Sequence, residues 1–149
     1  MEFDLDKINK SIIRTLFENS RITISELAKL VHLSAPAVKE RIEKLEDQKA
    51  ILGYSLQTNS EALGYAITGF VQANILTGKE AAFQKAVTAS SAITECYNVT
   101  GEKAYIFRVS VHTMSELDAL LESFSNLCKT ETSLILSETL SPRLPKTFK

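Results

Sequence analysis

There is no tryptophan in this chain of 149 residues, and only two cysteines, two histidines, three prolines and five glycines occur. Cys96 and Cys128 lack metal-ligand spacing, so a thiolate zinc site and a disulfide framework are both excluded, and the two are expected as reduced core residues. His32 and His112 are too few to furnish an imidazole metal cluster, and no Ser/His/Asp set or glycine-rich phosphate loop accompanies them. No metal or cofactor is expected. Long hydrophobic runs are missing as well. Stretches such as Ala66–Val71 fall far short of the roughly 20 residues a bilayer requires, so no membrane partner is expected. The opening Met1-Glu2-Phe3-Asp4 has neither the basic nor the apolar region of a signal peptide, which makes the cytoplasm the expected location.

A surplus of one charge sign is also absent, the net charge being −1. Residues 1–60 carry nine Lys/Arg and nine Asp/Glu. Indiscriminate polyanion binding is thereby disfavoured. A nucleic-acid reader of this balance must gather its cations on one face and work in several copies.

What is present divides into two periodicities. Leu5, Ile8, Ile12 and Leu16 recur at helical spacing behind Asp6 as a cap, followed by Ile24, Leu27, Ala28 and Val31, then Val38, Ile42 and Leu45. From Ile67 the period becomes two, with strands expected at Ile67–Leu76, Ile93–Thr100, Ala104–Val111 and Thr132–Leu140. Helical stretches fall at about Lys79–Ala89 and Ser115–Leu127. The order strand, helix, strand, strand, helix, strand predicts an α+β, ferredoxin-like βαββαβ domain behind an N-terminal three-helix domain. The boundaries predicted are 1–50 for the helical domain, 51–64 for a linker strand and hinge, and 65–149 for a domain of assembly and sensing. Phe70 and Leu76 fall opposite Ile67 and Val71 and would leave apolar surface in a monomer, so a second copy of the chain is an expected partner.

Thr23-Ile24-Ser25-Glu26 has the form of a capping box that opens a short helix ending near Val31. His32-Leu33 then turns the chain, and Ser34 caps a new helix with Pro36 in its first turn. Two capped helices so joined form a helix-turn-helix at about 24–43, whose second helix would lie in a DNA major groove. With Val38, Ile42 and Leu45 facing inward, Ser34, Ala35, Ala37, Lys39 and Glu40 are candidates for base or phosphate contact. Arg21, Arg41 and Lys44 are candidates for phosphate contact. Solvated faces of a plain helical bundle would carry such charges too.

Leu5-Asp6-Lys7-Ile8, Arg21-Ile22-Thr23, Glu26-Leu27-Ala28, Leu33-Ser34, Arg41-Ile42, Leu45-Glu46 and Gly53-Tyr54 resemble the N-terminal pattern of the Lrp/AsnC, or feast/famine, regulators. Glu95-Cys96, Thr100-Gly101-Glu102 and Thr130-Glu131-Thr132 resemble their C-terminal domain. The resemblance implies a winged helix-turn-helix, dimers built through the C-terminal sheets, further tetramers or octamers, and bent or wrapped double-stranded DNA in the nucleoid. It also implies a free amino acid as effector, held between subunits by Asn98, Thr100, Gly101, Glu102 and Ala104, with Met114, Leu134 and Leu136 nearby. Three positions depart from the pattern. His32 stands where glycine is usual, Lys49-Ala50-Ile51 lacks the usual glycine, and the motif Gly-x-x-Asp reads Gly101-Glu102-Lys103-Ala104. Without the carboxylate at position 104, an apolar amino acid is expected to bind weakly or not at all.

Two other functions bear on the same residues. An architectural protein that compacts DNA without sensing a ligand would use the same helix-turn-helix. A tetrapyrrole decarboxylase, such as some proteins resembling this family are, would need positioned acid, base and cation side chains that the sequence does not supply. The chain is therefore expected not to be an enzyme.

Overall fold

The computed structural model describes residues 5–148 and forms two compact units. One unit joins the chain up to Leu56 with the tail from Leu140; the other runs from Gln57 to Thr139. The tail thus leaves the second unit, in which the expected boundary of 65–149 places it. A hydrogen bond from Arg14 Nη2 to the Phe148 carbonyl at 3.2 Å ties it to the first unit.

The first unit holds α1 (Lys7–Glu18), α2 (Ile24–Leu30) and α3 (Ala35–Asp47). Each starts where a short polar side chain offers an oxygen to otherwise unpaired N–H groups. Asp6 accepts from Asn9 N–H, Thr23 accepts from Glu26 N–H, and Ser34 accepts from Ala37 N–H. The Glu26 carboxylate returns to Thr23 N–H at 3.0 Å, which completes the capping box. Between the helices Ile12, Leu27, Val38 and Leu45 are fully enclosed, with Leu16, Ala28, Val31 and Ile42 around them.

His32 and Lys49 adopt left-handed backbone, at φ 54 and 61. Each follows a helix and closes it with a paired carbonyl capture. Leu33 N–H donates to Ala28 O and His32 N–H to Lys29 O; Ala50 N–H donates to Leu45 O and Lys49 N–H to Glu46 O. His32 and Lys49 fall at the two departures where the resemblance leads one to expect glycine. The turns retain their geometry because the captured carbonyls and the buried helix faces outweigh a strain of about 1–2 kcal/mol at each residue.

No strand forms over residues 51–64, where a linker strand was expected. Leu52 to Asn59 are exposed and carry no regular structure, so no β wing accompanies the three helices among the described residues. An extended segment becomes a strand only when a neighbour pairs its backbone.

The second unit runs β1 (Ile67–Ile75), α4 (Glu80–Ala89), β2 (Ile93–Asn98), β3 (Tyr105–Val111), α5 (Met114–Ser123) and β4 (Cys128–Leu134). Its antiparallel sheet has the order β2-β3-β1-β4, the ferredoxin-like arrangement expected. Val71 and Ala73 of β1, Phe107, Val109 and Val111 of β3, and Cys128 pack with Phe83 of α4 and Leu117 and Phe124 of the α5 region. The last strand is Cys128–Leu134 rather than Thr132–Leu140. Pairing with β1 aligns Ile75 with Cys128 and Gly69 with Leu134, and Ile135 N–H still donates to the Thr68 carbonyl, so the ladder starts where β1 ends and has run almost its length before Leu136. Cys96 corrects another expectation, since it lies exposed on β2 while Cys128 is buried.

The register sorts the other sheet face. Phe70 lies between Arg108 of β3 and Ser133 of β4, and Glu95 and Tyr97 of β2 pair with Arg108 and Ile106. Phe70 is 40% and Tyr97 55% exposed, so this face carries aromatic surface that neither α4 nor α5 covers.

Candidate nucleic-acid interface

The outer face of α3 is fixed by what its inner face buries. Val38, Ile42 and Leu45 point into the helical core, which turns Lys39, Glu40, Glu43 and Lys44 to solvent. At the amino end Ser34 is exposed, and Ala35 and Ala37 present little bulk. A groove floor could approach the helix closely there.

The charges along α3 are paired within the helix. Lys44 Nζ lies 2.8 Å from Glu40 Oε1, and Lys39 Nζ lies 3.7 Å from Glu43 Oε1. Lys44 holds the Glu40 carboxyl below its usual range through that hydrogen bond. Both pairs are well exposed, so each contributes little to stability and opens readily to a phosphate. Arg21, at the entry to α2, is exposed and forms no ion pair among the described residues.

Arg41, expected as a phosphate contact, is engaged within the helical unit. Its Nη1 donates to Asp6 Oδ2 at 2.7 Å and to Asn9 Oδ1 at 2.8 Å. One guanidinium therefore braces α3 against the capped start of α1, which withdraws it from the solvent-facing row. The Asn9 N–H and the Arg41 guanidinium together hold the Asp6 carboxyl below its usual 3.8. A lowered folded pKa means that the contribution of Asp6 is complete above its unfolded value near 4. It is lost as pH falls through the folded value. Asp6→Ala is expected to destabilise the helical unit by about 1–2 kcal/mol at pH 7, through the lost cap and brace. The difference from the parent should shrink below about pH 4, as followed by denaturant titration across pH.

Gly53-Tyr54 finds its place beside α3. Tyr54 Oη donates to Glu46 Oε1 at 2.9 Å, and burial together with that carboxylate pushes the phenol up to about 12. The bond pins the chain leaving α3. Sequence reasoning marked the motif but not this partner.

The residues expected to hold an effector do not form one cavity within a chain. Asn98, Thr100, Gly101, Glu102 and Ala104 lie at the β2–β3 turn, where Val99 N–H and Asn98 Nδ2 both donate to the Ala104 carbonyl. Gly101 has φ 116, a conformation suited to glycine. Met114 and Leu134 lie at the other end of the sheet, beyond Val111 and against Gly69, about 20 Å away along β3. Met114 is 55% exposed there and Leu136 is almost wholly exposed. Lys103, within the turn, reaches Glu131 on β4.

His112, exposed just after β3, reaches back to the hinge region. Its Nδ1 lies 2.8 Å from the Gly64 carbonyl, and its ring stacks on Tyr65 at 4.5 Å. No group of His, Cys, Asp or Glu suited to a metal ion occurs among the described residues, and no described helix is long and apolar enough to cross a membrane.

Comparison with known proteins yields two family matches. Residues 5–46 match the AsnC-type helix-turn-helix domain, and residues 68–145 match the Lrp/AsnC ligand binding domain. The HTH-type transcriptional regulator LrpA of Mycobacterium tuberculosis is 32% identical over 142 residues, covering 93% of this chain and 95% of its own. The solved structure of LrpC from Bacillus subtilis has a TM-score of 0.88 at 26% identity, with 95% of this chain and all of that one covered. A feast or famine regulatory protein from M. tuberculosis, complexed with L-methionine, has a TM-score of 0.82 at 31% identity, covering 93% and 97%.

Proposed function

The chain belongs to the Lrp/AsnC family, and from that premise we propose that it is a DNA-binding transcriptional regulator acting as an oligomer, with amino-acid metabolism as its field. The observation that carries this reading is the pair of capped helices α2 and α3. Their shared core leaves the Ser34–Lys44 surface free for a major groove. Ser34, Ala35, Ala37, Lys39 and Glu40 take base edges or adjacent phosphates, while Arg21 and Lys44 take phosphates. Arg41 acts through position, by holding α3 on α1. Relatives named as HTH-type transcriptional regulators favour this function over catalysis.

Binding to duplexes selected from random sequence tests the reading. Lys39→Ala and Arg21→Ala should each weaken binding and make the dependence of log affinity on log salt shallower by about one unit. The loss should be similar across sequences, and the oligomer should persist. Unchanged affinity and slope in both variants would remove α3 from the interface.

An apolar amino acid is the effector that suits the reading, since one relative carries L-methionine in its structure. The two halves of the expected effector site, the Gly101 turn and the Met114–Leu134 end, would then come from different subunits. Ala104 cannot supply the carboxylate that would anchor an ammonium group. Calorimetry is expected to give weak or absent binding of leucine and methionine, strengthened in Ala104→Asp. Tight binding by the parent, abolished in that variant, would reverse the role assigned to position 104.

A further inference from the structure

The two units differ in charge. The unit made of residues 1–56 and 140–149 carries twelve Lys/Arg against nine Asp/Glu, a net charge of +3. Residues 57–139 carry five against nine, a net charge of −4. The excess in the first unit comes wholly from the tail, where Arg143, Lys146 and Lys149 occur and no acidic residue does.

The tail is held against a helix that is itself basic on one side. Lys7, Lys10 and Arg14 follow one another at spacings of three and four along α1 and so share a face. Asn9, which reaches α3 through Arg41, lies roughly 100–160° around the helix from them. Glu18 is the one acidic residue within α1. Arg14 donates to the Phe148 carbonyl and keeps its charge in doing so, and the Phe148 N–H closes a turn onto Pro145 O. Leu144 and Phe148 are half-buried while Arg143 and Lys146 are exposed, so the tail turns its apolar side inward and its cations outward. Lys7, Lys10, Arg143 and Lys146 form no ion pair among the described residues.

We propose that α1 and the C-terminal tail form a second DNA surface, which takes backbone phosphates of a duplex segment outside the groove entered by α3. The inference rests on the regulator reading and deepens it. Cations that form no ion pair among the described residues, clustered on the unit that carries the helix-turn-helix, suit a polyanion and carry no base-reading geometry. The surface faces away from the α3 side of α1. A short duplex bound to α3 alone would not reach it, whereas a long duplex curving around an oligomer would.

The test compares the full-length parent with a variant in which Lys7, Lys10, Arg143 and Lys146 are all changed to Gln. Arg14 stays in place because it holds the tail. Binding is measured on a short duplex just spanning the selected site and on a long duplex containing the same site, across a range of salt. The expected result is unchanged short-duplex affinity, at least tenfold weaker long-duplex binding at low salt, and a long-duplex salt slope shallower by about 0.9 for each phosphate no longer neutralised. Equal long-duplex affinity and slope in the two proteins would overturn the inference. So would a smaller oligomer by sedimentation without DNA, because the basic face would then serve the acidic unit of another copy. A parent that bound neither duplex would overturn the regulator reading itself, a result distinct from weakening in the variant alone.

Discussion

Phe70→Glu is expected to turn the protein into a folded monomer and to lower its affinity for a two-site duplex by ~10²–10⁴-fold, the usual span of avidity. Phe70 stands on the sheet face that α4 and α5 leave bare, the face that also carries Ile106 and, across β3, Tyr97, and it is two-fifths exposed in the single chain. A second copy placed against that face buries the rings and sets two recognition helices on one duplex. Its cross-strand neighbour is Arg108, already paired with Glu95 at 3.4 Å, so a carboxylate at position 70 is tolerated in the monomer. In a dimer the same charge would be forced against apolar surface. Sedimentation gives the mass, and circular dichroism checks that the fold persists. A variant that remains dimeric with unaltered DNA affinity would place the subunit interface elsewhere.

The largest loss of stability is expected from Phe107→Ala. Phe107 is fully buried at the centre of the sheet, with Phe124 at 5.8 Å and Phe83 at 6.1 Å between ring centroids. Val71 lies beside it on β1 and Cys96 pairs with it on β2. Truncation removes the ring's transfer free energy and leaves a cavity that three elements cannot close, at a cost of about 3–5 kcal/mol. Hydrogen exchange should report that loss in β1 and β3, while amides of α2 and α3, which belong to the other compact unit, keep their protection. Equal loss of protection in both units would show that they unfold as one.

Gly69 illustrates a constraint that only the assembled sheet imposes. A Cβ there would stand 2.8 Å from the Ser133 carbonyl, so β4 approaches β1 on the strength of a missing side chain. As a letter in the run Ile67–Val71, this glycine gives no hint of such an approach. It reads as a weak point in a strand.

Local chemistry was legible wherever a residue's role depends on neighbours a few positions away. Asp6, Thr23 and Ser34 cap helices because each can reach an N–H two or three residues on, and the interval is in the chain itself. The change from a helical to an alternating period separated the helical unit from the sheet for the same reason. Long-range pairing decided the remainder. Arg41, 35 residues from Asp6, became a brace because it flanks the buried face of α3 where that helix meets α1, and its own helix does not say which distant group it will find there. The last strand began at Cys128, ahead of the more apolar Leu134–Leu136 stretch, because β1 fixes where pairing can start. His112 was drawn to Gly64, 48 residues earlier, and the tail to Arg14 by a bond spanning 134 residues. A sequence states which groups a residue carries and the period on which they recur. Which distant group each one meets follows from the packing of whole helices and strands.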